Sequence, residues 1–152
     1  MPNPSHPPHL VDVRALTLHN PWAWAIAHAE KDVENRGWMP PTTVDQILIH
    51  AGKAWDNRAG TFLRSWGITP PPGPGDVSAI VAVADIAWAC DAFVRGHDCN
   101  CGRWAIAGQC HWKLGNVWTL NEPVPCKGRQ RLWIPSPEVV DSVRADLAQV
   151  MA

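Results

Sequence analysis

The 152-residue chain has 46% apolar and 18% charged residues. That composition excludes a disordered tail and fits one compact domain with a substantial core. Its formal net charge of −1 excludes a global basic field, so any nucleic-acid partner must be gripped locally. Ten Trp and 15 Pro with no Tyr predict aromatic surface as well as core, because a buried indole N–H needs a partner.

Residues 1–12 open as "MPNPSHPPHL", with Pro at 2, 4, 7 and 8, and are expected to form a flexible lead into a single domain over 13–152. They lack the basic start and apolar run of a signal peptide, and no 18-residue apolar stretch follows. The expectation is a soluble, cytoplasmic protein without a membrane partner. Five Cys, an odd number without a secretion signal, argue against a disulfide framework.

"RALTL" alternates as a strand, and Asn20 before Pro21 predicts a helix start with Asn as cap and Pro in the first turn. That helix should run to about Ala29, with Trp22, Ile26 and Ala29 on its apolar face. "DVENRGW" reads as extended, "ILIHAG" as a short buried strand ending at Gly52, and Trp55 to Trp66 as a second helix. "GITPPPGPGD" has too many Pro and Gly for anything but a loop. "VSAIVAVADIAWAC" should be the central strand. Beyond a Cys-bearing loop, residues 109–135 predict two or three strands broken at Gly115, Pro123, Pro125 and Gly128. Ser136 and Pro137 start a last helix over about 137–150, with Glu138 suited to its dipole. This order predicts an α+β fold, a small curved sheet or partly closed β-barrel with flanking helices.

If "DVENRGW" is extended, Glu34, Arg36 and Trp38 project from one face while Val33 and Asn35 project from the other. Lys31 enters the same space from the preceding turn. A carboxylate between two cations stays ionised, and an Arg fork suits a base edge or a phosphate. Trp22 or Trp24 offers a stacking face for an unpaired base. The plain alternative is a salt-bridge network on a half-buried strand.

"ALTLHNPWAWAIAHAEKDVENRGW" followed by "ILIHAG" resembles the opening of the ASCH domain family, a branch of the PUA-like superfamily. The family signature is G-x-K-x-x-E-x-R; Lys31, Glu34 and Arg36 match it, and Ala29 stands at the Gly position. "HWKLGNVWTLNEPVPCKGRQRLW" resembles the closing strands, so the likeness spans about residues 14–134. It implies a small barrel with a cleft for RNA or a nucleobase-like ligand, with the motif Lys, Glu and Arg in or near it. A bacterial branch hydrolyses acetylated cytidine and carries Thr where this chain has Glu34.

The first functional reading is therefore RNA or nucleobase binding by Trp22, Trp24, Lys31, Glu34, Arg36 and Trp38. The second is an amidohydrolase or ribonuclease using Lys31 and Glu34 as catalytic groups. A protein-interaction module is the third. His50 shares a face with Leu48 and reads as a core or rim residue, with a ligand contact as the alternative. Lys127, Arg129 and Arg131 in "KGRQR" would share one face of a strand, the densest positive patch and the best place for a phosphate. Trp112, Trp118 and Trp133 are assigned to the core and Cys126 to a small apolar filler.

"GHDCNCGRWAIAGQCH" holds His97, Cys99, Cys101, Cys110 and His111. C-x-C is tighter than the common zinc knuckle and lies outside the ASCH signature, so incidental thiols are one reading. A structural zinc clip on His97, Cys99, Cys101 and Cys110 is the other. No further cofactor is expected.

Overall fold

The computed structural model describes residues 3–73 and 78–152. Met1 and Pro2 of the predicted lead, residues 74–76 of the Pro/Gly loop and Val77 of the predicted central strand lie outside the described residues. The chain runs β1 (Arg14–Asn20), α1 (Trp22–His28), β2 (Val33–Arg36), β3 (Gln46–Trp55) and α2 (Ala59–Ser65), then β4 (Ala79–Cys90), β5 (Cys110–Pro125), β6 (Leu132–Trp133) and α3 (Pro137–Val150). No helix among the described residues is long and apolar enough to cross a membrane.

One mixed six-stranded sheet carries the fold, in the order β2-β5-β4-β3-β1-β6. β1 and β3 are parallel and every other neighbouring pair is antiparallel. The edges β2 and β6 are not hydrogen-bonded to each other, so the barrel is not closed and the sheet is curved and open. β6 pairs with β1 only at Ala15 and Leu16, leaving the outer edge of β1 from Thr17 onward without a strand partner among the described residues. That unclosed seam is where the cleft forms.

Both faces of the sheet are covered, which is why Ile47, Leu48 and Ile49 of β3 are all apolar rather than alternating with polar residues. On one face Ala15, Leu48, Val83 and Trp118 pack against Val143 and Leu147 of α3. On the other, Leu16, Leu18, Ile47, Ile49 and Trp112 pack against Ala23 and Ile26 of α1. α3 starts as its sequence predicts, with the Ser136 hydroxyl accepting from the Val139 N–H at 3.3 Å.

Several boundaries differ from expectation. α1 is capped at Pro21, whose carbonyl accepts from Ala25 N–H at 2.8 Å, because Asn20 is still strand and pairs with Trp55. The same pairing carries β3 to Trp55, past Gly52, and α2 starts only at Ala59.

Of the two or three strands expected over 109–135 there are two, β5 and the short β6, separated across Gly128 but not broken at Gly115 or Pro123. β5 crosses Gly115 and Pro123 because its register against β4 shifts nearby. Near the second irregularity the Asp146 carboxylate of α3 accepts the Asn121 and Glu122 N–H groups at 2.8 and 2.9 Å, taking up donors the ladder loses.

Residues 3–12 form no helix or strand, as their prolines require, but they are not a loose lead. Asn3 exchanges two hydrogen bonds with the Thr119 backbone, the His6 carbonyl accepts from the Trp118 indole, and Leu10 is buried. The edge of β5 beyond its pairing with β2 holds them down.

Candidate ligand cleft at the seam between β1 and β2

The cleft is built on the turn from α1 into β2. Glu30 takes the left-handed conformation that ends α1, and the Lys31 N–H returns to the Ala25 carbonyl at 3.1 Å. Ala29, at the signature's Gly position, has φ −127°, which any residue adopts. Lys31 is thereby folded under the helix end with only 4% of its surface exposed.

β2 alternation then places Glu34 and Arg36 on one side and Val33 and Asn35 on the other. The Lys31 ammonium donates to the Val33 carbonyl and to Glu34 Oε2, the latter at 3.1 Å. Glu34, 7% exposed, places Oε1 3.0 Å from Arg36 Nε. That Nε–H is not aligned on any acceptor, so the contact is an ion pair and not a hydrogen bond. Arg36 Nη2 crosses the seam to donate to the Thr17 carbonyl at 3.1 Å. Two cations thus hold one buried carboxylate, and the Arg36 plane lies at the mouth of the gap.

A cavity of about 250 Å³ opens beside this chain of contacts, lined by Thr17, Leu18, His19, Trp22, Lys31, Glu34, Asn35, Arg36 and Ile106. The Trp22 indole donates to Asp56 Oδ2 at 3.1 Å, which fixes the ring. Asn35, from the opposite side of β2, donates to the Trp104 carbonyl and accepts from the Ile106 N–H, so the loop after β4 is tied on as a wall. Thr17, Leu18, His19, Asn35 and Ile106 escaped the sequence reading as site residues. His19 was findable as a polar residue two positions from Thr17 on β1, whereas Ile106 reaches the cleft only through Asn35.

Trp24, Trp38 and His50 are not brought to this cavity. Trp24 packs with Trp66 and Trp104 beneath α1. Trp38 lies just past the end of β2, edge-on to Trp112, and the Arg131 guanidinium sits 4.3 Å from its ring centroid. Its face is occupied.

His50 is fully buried on the opposite face of β3 from Ile49. Its Nε2 is 2.9 Å from the Cys126 carbonyl, which can only accept, so Nε2 carries the proton. Nδ1 then accepts the Thr17 hydroxyl at 3.1 Å, and that hydroxyl accepts the Trp133 indole N–H at 3.2 Å. Burial pulls the His50 pKa below 6.5, against the raising effect of the Cys126 carbonyl. A Cβ on Gly128 would fall 2.6 Å from His50 Cε1, so only glycine lets the following loop lie on this pair.

That loop corrects the reading of "KGRQR" as a strand: residues 126–131 are irregular, and Arg131 has positive φ. Lys127 and Arg129 instead join Lys53 along a second, larger groove of about 710 Å³ over Thr17 and His50. Thr17 lines both hollows.

The Cys/His loop assembles a different set from the one expected. Cys99 and Cys101 meet Cys90 and His111, their ligand atoms all within 4.8 Å of one another. His97 is exposed and is not in the group. Cys110 precedes His111 on β5, so alternation turns its side chain to the other face. Burial, with hydrogen bonds to Cys99 and Cys90, pushes the Cys101 thiol up to about 12.

Compared with models of known families, residues 16–97 match the ASCH domain, more than half of the chain, from within β1 to past the end of β4. No match was found among curated proteins.

Proposed function

The chain belongs to the ASCH domain family, and on that footing we propose that it binds single-stranded RNA or a nucleobase-containing ligand, with one base in the β1–β2 cleft. The observation that carries this reading is the Arg36 guanidinium, held by Glu34 and Thr17 at the mouth of a cavity of about 250 Å³. A hollow just below the size range of drug-like pockets suits a single heterocycle.

In this reading the Arg36 fork meets a base edge, the fixed Trp22 ring offers a stacking surface, and Lys31 serves as the buried counter-ion that keeps Glu34 in place. Lys53, Lys127 and Arg129 take the adjacent phosphates, a local grip suited to a chain of net charge −1. An ammonium already held by a carboxylate and a carbonyl is a poor nucleophile, which favours binding over catalysis by Lys31 and Glu34.

Tryptophan-fluorescence titration with short single-stranded RNAs and with modified nucleosides tests the proposal. Saturable binding that Arg36→Ala weakens at least tenfold is expected. Unchanged affinity in that variant overturns the assignment. Turnover of RNA or acylated cytidine that vanishes in Lys31→Ala and Glu34→Gln would replace it with the hydrolase reading.

A further inference from the structure

Outside the cleft, four soft donors converge from two parts of the chain. Cys90 and His111 are direct cross-strand partners at one end of β4 and β5. Cys99 and Cys101 come from the connection over residues 91–109, which contains no helix or strand. Segments of that length without regular structure are uncommon in compact domains unless something else holds them.

The chemistry around the four donors is specific. His111 Nε2 lies 2.7 Å from the Ile106 carbonyl, which can only accept, so the proton sits on Nε2. The bare Nδ1 lone pair therefore faces the cluster, 3.4 Å from Cys99 Sγ. A ligating histidine commonly donates its other N–H to a backbone carbonyl in this way. The Ala92 N–H approaches Cys90 Sγ at 3.4 Å, a donor suited to a thiolate. Cys101 and His111 are buried, so water is largely kept out.

We infer that Cys90, Cys99, Cys101 and the Nδ1 atom of His111 form a tetrahedral zinc site that clips the 91–109 connection to the sheet. Zn–S bonds of about 2.3 Å and a Zn–N bond of about 2.0 Å space the donors of a tetrahedron about 3.5 to 3.8 Å apart. The separations here exceed that by at most about 1 Å, which side-chain rotation spans. Three thiols and one imidazole select zinc over magnesium or calcium, and four protein ligands leave no open position, so the site is structural and not catalytic. Each ion bound displaces three thiol protons to solvent and takes the neutral imidazole lone pair without one.

The site bears on the cleft. Ile106, whose carbonyl orients His111, also lines the cavity and donates its N–H to Asn35. Metal at the far end of the connection would fix that wall.

The test is metal content of the reduced, full-length chain purified from zinc-supplemented culture. One zinc per chain is expected. Cys90→Ser, Cys101→Ser and His111→Ala should each weaken zinc binding at least about tenfold, the smallest loss typical even of outer-shell changes. Cys110→Ser and Cys126→Ser should bind as the parent does. If a ligand variant fails to fold, cobalt titration of the parent chain decides instead: thiolate-to-cobalt charge transfer with tetrahedral d–d bands, bleached by one equivalent of zinc, is expected. A folded, reduced chain that holds no zinc and gives no such spectrum overturns the site. So does loss of metal in Cys110→Ser with retention in His111→Ala. Chelation should also open residues 91–109 to limited proteolysis, and equal cleavage with and without zinc overturns the clip.

Discussion

Arg36 on one edge of the sheet donates to the main-chain carbonyl of Thr17 on β1 at 3.1 Å, bridging a seam that no ladder closes. A single guanidinium thus serves two ends: it ties the curved sheet across its gap and presents charge to the cavity beside it. Lysine cannot do both, because a point charge lacks the planar fork. Arg36→Lys is expected to weaken oligonucleotide binding by about 1–3 kcal/mol, the discrimination typical of a bidentate base contact. Thermal unfolding beside the titration separates lost recognition from lost structure. Equal affinity in the lysine variant would sink the fork as the recognition element.

Lys31 and Glu34 are both nearly fully buried, so removing Lys31 leaves the buried Glu34 carboxylate with Arg36 as its one remaining cationic partner among the described residues. Lys31→Met is expected to cost about 3–5 kcal/mol in urea unfolding. Adding Glu34→Gln to that variant should restore part of the loss, since the half-compensated charge is then gone. A double variant less stable than the single one would show that Arg36 alone compensates Glu34.

His50 makes folding sensitive to acid. Its pKa in the fold lies below 6.5, so as pH falls through that value the unfolded chain takes up a proton that the folded chain refuses. Its stabilisation is full above 6.5 and is lost as pH falls toward the folded pKa. Protonating Nδ1 would also break the bond from Thr17. The urea midpoint should drop between about pH 7.5 and about pH 5.5, and His50→Gln should flatten that drop. His28, also lowered by burial, contributes alike in both proteins. An unchanged slope in the variant would assign the acid sensitivity elsewhere.

Asp146 supports the irregularity in β5 from α3. With Ala in its place the Asn121 and Glu122 N–H groups lose their acceptor, at about 1–3 kcal/mol. Hydrogen exchange at those two amides should accelerate beyond the global change. Exchange that merely tracks global stability would mean solvent or another acceptor replaces the carboxylate.

Much of the scaffold was legible because it depends on near neighbours. Two-residue alternation put Glu34 and Arg36 on one side of β2, Ser136 and Pro137 marked the start of α3, and the apolar run of β4 placed it inside the sheet. The core reading of His50 holds, but the Arg131 cover over Trp38 and the packing of Gly128 on His50 were not legible. Each depends on a loop returning from about eighty residues or more away.

The proposed zinc-binding group divides along the same line. By itself the sequence determined that Cys99, Cys101, Cys110 and His111 lie within one short polar stretch. Only the tertiary structure decided that Cys90 and His111 complete the set, because cross-strand register joins residues twenty-one positions apart. It likewise decided that the seam stays open, since β6 pairs too briefly to cover β1 past Leu16. Local pattern sets which face a side chain takes, while register and curvature, summed over the whole sheet, set what it meets there.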